Sequence, residues 1–383
     1  MPVRIVFDAR HVRDFGYGTY IRNLLGGFVA TATPDHFTLI AHQGDAQEFG
    51  PLPGNFEFAW YEREDLKGME HLAFPLFLRR FAADLYHIPL NVVPVAMPKP
   101  YVVTVHDLSS LMYDSLPGWR KDLRLRRMRR GLLRAERVIA VSEATLHDTE
   151  HLLGIPRERV RRIYSAPDPR LLHDASPPSE EEFLERRKIL ARYDVTYPFL
   201  LYAGAIRPQK NIPRLVEAFA LLLGELARHP VYKDLRLIII GDQISRDPNL
   251  RRAVIHSRIQ PMVRFLGFVP LEVLRVFYEA AAAFVFPSLY EGFGLPPLEA
   301  MAAGTPVVAS NVSSLPEVVG DAARLVTPDN VFDIMRGMKE VLLDENLRRE
   351  LRTRGFARLR KFSWTETARE VLEVYHAALG HPV

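Results

Sequence analysis

Two carboxylates bracket a glycine loop in Glu291-Gly-Phe-Gly-Leu-Pro-Pro-Leu-Glu299, a spacing suited to holding a phosphorylated ligand at both ends. Pro296 and Pro297 fit the first turn of a helix, where a missing N–H costs no intrahelical bond, and Gly304 with Pro306 marks the stop. A short helix is therefore predicted to begin directly after the loop. Its amino end carries partial positive charge and backbone donors, which receive phosphate or pyrophosphate. Gly292 and Gly294 let the backbone approach a ligand closely. Glu291 stands before the helix and Glu299 in its first turns, so one reaches beyond the phosphates and the other a group behind them. A sugar nucleotide has that order: sugar hydroxyls, diphosphate, ribose hydroxyls. An acidic helix start, favoured by the macrodipole alone, is the plainer alternative.

Further chemistry-bearing residues lie upstream. Tyr202-Ala-Gly-Ala-Ile-Arg-Pro-Gln-Lys-Asn211 follows a strand and leads into a helix, so Arg207 and Lys210 project from a strand-to-helix loop. Parallel sheets bind ligands outside the carboxyl ends of their strands, and two cations there can stabilise the charge that grows on a departing nucleoside diphosphate. His106 ends an apolar strand in Tyr101-Val-Val-Thr-Val-His-Asp-Leu108. The same dipeptide at His147-Asp148 and His173-Asp174 has no setting that suggests a site. His106 is thus a candidate to orient a ligand through hydrogen bonds, a role that need not be that of a general base. In Asp14-Phe-Gly-Tyr-Gly-Thr-Tyr-Ile-Arg-Asn-Leu-Leu25, Gly16 and Gly18 bring backbone N–H groups to a diphosphate or leave room for an acceptor. As a dinucleotide fingerprint this loop fails, because Ile21 holds the third glycine position and the loop starts far from the first strand.

Short apolar runs alternate with longer amphipathic ones, the pattern of parallel strands joined by crossover helices. Strands are predicted over residues 3–7, 38–41, 85–87, 101–105 and 138–141. The series restarts at 199–202 and continues through 235–240, 263–265, 283–286, 307–309 and 324–326. Between them the proline, serine and acidic stretch Asp174-Ala-Ser-Pro-Pro-Ser-Glu-Glu-Glu182 reads as an exposed connection. The chain is accordingly read as α/β, two doubly wound parallel-sheet (Rossmann-like) domains over residues 1–175 and 176–362, with a last helical stretch in 363–383. A length of 383 residues, 48% of them hydrophobic, gives each domain its own core.

Absences narrow the chemistry. No cysteine is present, which excludes disulfides, thiolate metal sites and a cysteine nucleophile. No Asp-x-Asp, phosphate-loop lysine motif or His-Glu-x-x-His occurs, so neither a metal nor another cofactor is expected. The first residues lack the apolar core of a signal peptide and no apolar run spans a bilayer, so a cytoplasmic, soluble or peripheral protein is expected. Within a net charge of +4, Arg120-Lys-Asp-Leu-Arg-Leu-Arg-Arg-Met-Arg-Arg130, continuing through Arg134 and Arg137, is the densest basic stretch. It reads as a solvated helix face or as a surface for anionic lipid headgroups or an anionic acceptor, with Leu123, Leu125, Met128, Leu132 and Leu133 supplying apolar contacts. No nucleic-acid motif accompanies it.

The run from Glu291 to Glu299, continued by Ala300-Met-Ala-Ala-Gly-Thr-Pro-Val-Val308, resembles the signature of the family 4 retaining glycosyltransferases of the GT-B fold, and most resembles bacterial mannosyltransferase-like members. The resemblance is strong over residues 202–326 and looser in the first domain. It implies two domains facing a central crevice, acceptor bound by the first and nucleotide-sugar donor by the second, with the C-terminal helix crossing back. It also implies that Glu291 contacts the donor sugar, Glu299 the ribose, Lys210 the diphosphate and His106 the donor sugar, with Gly16, Gly18, Phe293, Gly294 and Leu295 completing the donor set. Many members have arginine where this chain has Ala205, and Arg207 is the candidate to replace it. The implied reaction moves a sugar, from GDP-mannose, to a hydroxyl of a glycan or lipid-linked acceptor in surface polysaccharide or glycolipid synthesis, with retention and without a metal. Front-face substitution is the preferred mechanism. A nucleotide-sugar epimerase or glycan phosphorylase on the same scaffold, and a non-catalytic sugar-nucleotide-binding protein, stay open as alternatives.

Overall fold

The computed structural model describes residues 2–14, 16–62, 70–114, 117–172, 179–242 and 248–381. Residues 173–178, which include His173-Asp174 and most of the predicted connection, lie outside them, as does Phe15. The chain divides into two compact units, Met1–Ala166 with Phe362–Val383, and Pro167–Lys361.

The first unit is built on β1 (Arg4–Asp8), β2 (His36–Ala41), β3 (Phe56–Trp60), β4 (Leu85–Ile88), β5 (Tyr101–Val105), β6 (Arg137–Ala140) and β7 (Val160–Arg162). They pair in parallel in the order β3-β2-β1-β4-β5-β6-β7. The order reverses between β1 and β4, so the loops leaving these neighbours diverge and open a crevice at their carboxyl ends. Strands β4 and β5 are buried along their whole length. This is why they read as mainly apolar runs, with His87 and Thr104 the polar exceptions, since helices cover both faces of such a sheet. The edge strands β3 and β7 escape that reading. Phe-Glu-Phe-Ala-Trp of β3 is only half buried and Val-Arg-Arg of β7 is charged.

The C-terminal helix Trp364–Ala378 packs on the helix Tyr17–Ala30 within this unit. Gly27 makes the approach feasible, because a Cβ there would lie 2.4 Å from the Trp364 carbonyl oxygen. Behind the contact, His87 Nδ1 is 2.5 Å from Tyr375 Oη and its Nε2 is 2.8 Å from Thr104 Oγ1. Burial pushes His87 down to about 3, so the ring is neutral.

The basic stretch forms the helix Gly118–Arg134, and Arg137 belongs to β6 rather than to that helix. Its apolar positions do not face outward as expected. Met128 and Leu132 are in the core and Leu125 and Leu133 pack against it, which leaves Leu123 exposed beside Arg126, Arg127, Arg129 and Arg130. Among the described residues, no helix is long and apolar enough to cross a membrane.

The second unit contains β8 (Phe199–Ala203), β9 (Arg236–Ile240), β10 (Val263–Gly267), β11 (Ala283–Phe286), β12 (Val307–Ser310) and β13 (Ala323–Val326). These are also parallel, in the order β10-β9-β8-β11-β12-β13, with the reversal between β8 and β11.

Candidate active site

The two loops at the reversal of the second sheet carry the charged pair. After β8 the chain makes a short turn over Pro208–Lys210, and Asn211 adopts the left-handed conformation at φ 60° before the helix Ile212–Leu226. The buried Asn211 amide donates to the Pro287 carbonyl at 3.0 Å and the Pro328 carbonyl at 2.8 Å, which ties this loop to the one after β11. Lys210 Nζ consequently lies 2.6 and 2.7 Å from the two carboxylate oxygens of Glu291. The side chains are 17% and 8% exposed, so the pair is largely out of water and each group needs the other.

Serines shape the glycine loop behind Glu291. Ser313 Oγ donates to the Glu291 carbonyl at 2.6 Å, and Ser314 Oγ donates to the Phe293 carbonyl at 2.7 Å. Gly294 caps the helix Leu295–Ala302 at φ +104°, and a Cβ there would meet Leu315 Cδ2 at 2.7 Å, so only glycine fits. Phe293 is buried under the loop. The helix begins with Leu295 as its first residue. Pro296 and Pro297 follow, and since neither has an N–H, they remove two donors from this helix end. The end therefore offers a phosphate the dipole and the donors around Gly294 and Leu295.

Glu299, on the next turn, accepts a hydrogen bond from Tyr278 Oη at 3.0 Å. Tyr278 is fully buried in the helix Leu271–Ala280, and its carbonyl accepts from Thr305 Oγ1. Burial pushes the Glu299 carboxyl up to about 7; the Tyr278 hydroxyl opposes the shift and the nearby Asp168 adds to it. Tyr278 and Asp168 have no motif to announce them, and Asn211, although it ends the loop read for its two cations, carries no local sign of the carbonyls it binds. Arg207 stands apart from the pair: its guanidinium is 41% exposed and 3.7 Å from Asp242. With Pro208, Asn211, Arg214 and Leu289 it lines a cavity of about 700 Å³.

In the first unit, His106 leaves the end of β5 with its backbone N–H donating to Asn91 Oδ1 at 2.8 Å. Its Nε2 is 3.1 Å from the Pro89 carbonyl, which can only accept, so Nε2 carries the proton and Nδ1 is left as an acceptor. Tyr17 and Tyr20 meet the ring edge-on at 4.9 and 4.6 Å. Burial lowers His106 to about 4, so at neutral pH it orients rather than donates charge. Gly16 caps the Tyr17–Ala30 helix at φ 87° with open space where a Cβ would be. Gly18 has another duty than the one expected. Its N–H is committed to the Asp14 carbonyl at 2.8 Å, and a Cβ would sit 2.1 Å from the Val12 carbonyl oxygen, so this glycine serves backbone packing.

The family model of the glycosyl transferases group 1 matches residues 185–358, and that of Glycosyltransferase Family 4 matches residues 16–171. The chain is 34% identical over 304 residues to the O-antigen chain mannosyltransferase B of Escherichia coli, covering 78% of this chain and 75% of that protein. It is 36% identical over 248 residues to the serotype-specific mannosyltransferase WbdA of Escherichia coli, covering 63% of this chain but only 28% of that longer protein. Among solved structures, Anabaena Alr3699/HepE in complex with UDP-glucose matches with a TM-score of 0.74 at 18% identity, over 98% of this chain and 100% of that one. Sucrose-phosphate synthase from Thermosynechococcus elongatus matches with a TM-score of 0.75 at 21% identity, over 99% of each chain. At such identities these two structures speak for the fold alone.

Proposed function

From the premise that the chain belongs to the family 4 glycosyltransferases of the GT-B fold, we propose that it moves a sugar from a nucleotide-sugar donor to an acceptor hydroxyl, retaining the anomeric configuration. The donor is GDP-mannose and the acceptor a glycan or lipid-linked glycan of surface polysaccharide or glycolipid synthesis, a reading supported by the mannosyltransferase relatives. The exposed arginines of the Gly118–Arg134 helix support a peripheral hold on an anionic membrane.

The observation that carries the reading is the Lys210–Glu291 pair at the sheet reversal, beside a glycine loop. Lys210 takes the diphosphate and Glu291, so released, takes a hydroxyl of the sugar. Glu299 accepts from the ribose, Arg207 supports the outer phosphate and His106 offers Nδ1 to the donor sugar. Fixed charge at the leaving group replaces a divalent ion, and one such group is worth about 2.7–4 kcal/mol in the transition state. The acceptor oxygen bonds to the anomeric carbon on the face from which the phosphate oxygen departs, through an oxocarbenium-like state, and the acceptor proton passes to that phosphate oxygen. Glu291, engaged with a hydroxyl of the sugar, serves in this reading as a hydrogen-bond acceptor rather than as a nucleophile.

A thermal-shift screen of nucleotides and nucleotide sugars tests the proposal. A donor at a hundredfold its dissociation constant stabilises the fold by about 2.7 kcal/mol. GDP and GDP-mannose are expected to raise Tm; a chain indifferent to every nucleotide sugar is not this enzyme.

A further inference from the structure

The loop after β12 runs alongside the glycine loop, because β11 and β12 are adjacent parallel strands that leave the sheet side by side at its carboxyl end. Its residues meet the glycine loop in order: Ser313 at Glu291, Ser314 at Phe293, and Leu315 where a Cβ on Gly294 would stand. Ser313 makes the most demanding of these contacts. Its Oγ donates to the Glu291 carbonyl at 2.6 Å and accepts from the Glu291 N–H at 3.3 Å. One hydroxyl thus spends its donor and an acceptor position on both main-chain groups of a single residue. Ser314 has one proton to give, and its Oγ is nearer the Phe293 carbonyl, at 2.7 Å, than the Glu291 carbonyl, at 3.0 Å.

Ser313 does this at φ +56°. Left-handed backbone is unfavourable for serine and free for glycine, and asparagine, as at Asn211, is among the few other residues that accept it readily. A serine kept where glycine would sit without strain points to a use for its hydroxyl. That use is on Glu291, whose carboxylate oxygens lie 2.6 and 2.7 Å from Lys210 Nζ. When Lys210 turns to the diphosphate, the carboxylate gives up those contacts, and its aim then depends on the main chain from which it springs. Ser313 grips that main chain at both of its polar groups.

We propose that Ser313 is the positioning residue of Glu291: its hydroxyl fixes the main chain of the glutamate, so that the carboxylate stays aimed at the donor sugar after Lys210 has turned away. The assignment rests on the glycosyl-transfer reading given above. Two variants separate the hydroxyl from the backbone. Ser313→Ala loses the hydroxyl and keeps the strain, whereas Ser313→Gly loses the hydroxyl and relieves it. Calorimetry on the full chain with GDP-mannose and with GDP is read beside amide hydrogen exchange and thermal melting. Both variants are expected to weaken GDP-mannose at least fivefold, to leave GDP within twofold and to speed exchange at the Glu291 amide, with Ser313→Gly melting above Ser313→Ala. A Ser313→Gly chain that binds GDP-mannose as the unaltered chain does overturns the proposal, because the serine then serves the fold alone. So does unchanged exchange at Glu291, or an equal loss of GDP and GDP-mannose. Those outcomes leave the transfer reading standing. An unaltered chain that binds neither nucleotide defeats the transfer reading itself, and the proposal with it.

Discussion

Glu291 and Lys210 neutralise each other in the structure, and this coupling changes what each substitution should do. On the roles proposed above, Glu291→Gln removes the carboxylate for the sugar but releases the ammonium for the diphosphate. Turnover should fall by two orders of magnitude or more, while affinity for GDP measured by calorimetry should hold or rise; a matching loss of both would contradict the assigned roles. Lys210→Ala should cost about 2.7–4 kcal/mol of transition-state stabilisation, and the double variant should be less impaired than the sum of the singles, because the two groups are partners. Glu299 carries a pH signature. Its carboxyl is raised to about 7 by burial, and a ribose diol binds best to the ionised acceptor. GDP affinity should therefore fall between pH 8 and 6 more steeply in the unaltered chain than in Glu299→Gln, where only the phosphate titrates. Equal slopes would remove Glu299 from the ribose. At this scale the two glutamates, Lys210 and His106 could be picked out as candidates because they sit in local motifs, and the structure pairs Lys210 with Glu291. Tyr278, 21 residues from Glu299, and Asn211, which bonds to residues 76 and 117 positions away, could not, since only tertiary contact gives them a role.

Secondary-structure elements were legible where burial wrote a plain pattern. Central strands such as β5 and β11 stood out as apolar runs because both faces are covered, whereas the edge strands β3 and β7 carry Glu57, Arg161 and Arg162 and left no such run. The basic helix was legible as a helix but not in its orientation: Met128 and Leu132 turn inward, so the outward face is charge with Trp119 and Leu123 near its start. If that face holds the protein at a membrane, the hold is electrostatic, about 1 kcal/mol per arginine, and fades with salt. Replacing Arg126, Arg127, Arg129 and Arg130 by glutamine should abolish sedimentation with anionic vesicles and leave GDP affinity unchanged. Indifference of the unaltered protein to anionic vesicles at low salt would mark the helix as an ordinary solvated face.

The whole molecule joins two units of like topology, and the first of them has a built-in acid weakness. His87 and His106 are held neutral, at about 3 and about 4, below the usual histidine value of 6.5. The unfolded chain takes up protons at these rings as pH drops below 6.5 and the folded chain does not, so their contribution to stability is complete above 6.5 and is lost as pH falls through about 4 for His106 and about 3 for His87. Hydrogen exchange should therefore report earlier acid opening in residues 1–166 than in 167–361; the reverse order would show that other groups dominate. The account as a whole turns on one reaction. Proton NMR of the chain with GDP-mannose, a neutral mannoside acceptor and EDTA follows donor, product and anomeric configuration together. The account predicts a new α-mannosidic linkage formed in step with release of GDP, at a rate unaffected by EDTA. A β-linked product, a need for added divalent ion, or altered sugar released without any acceptor would contradict it.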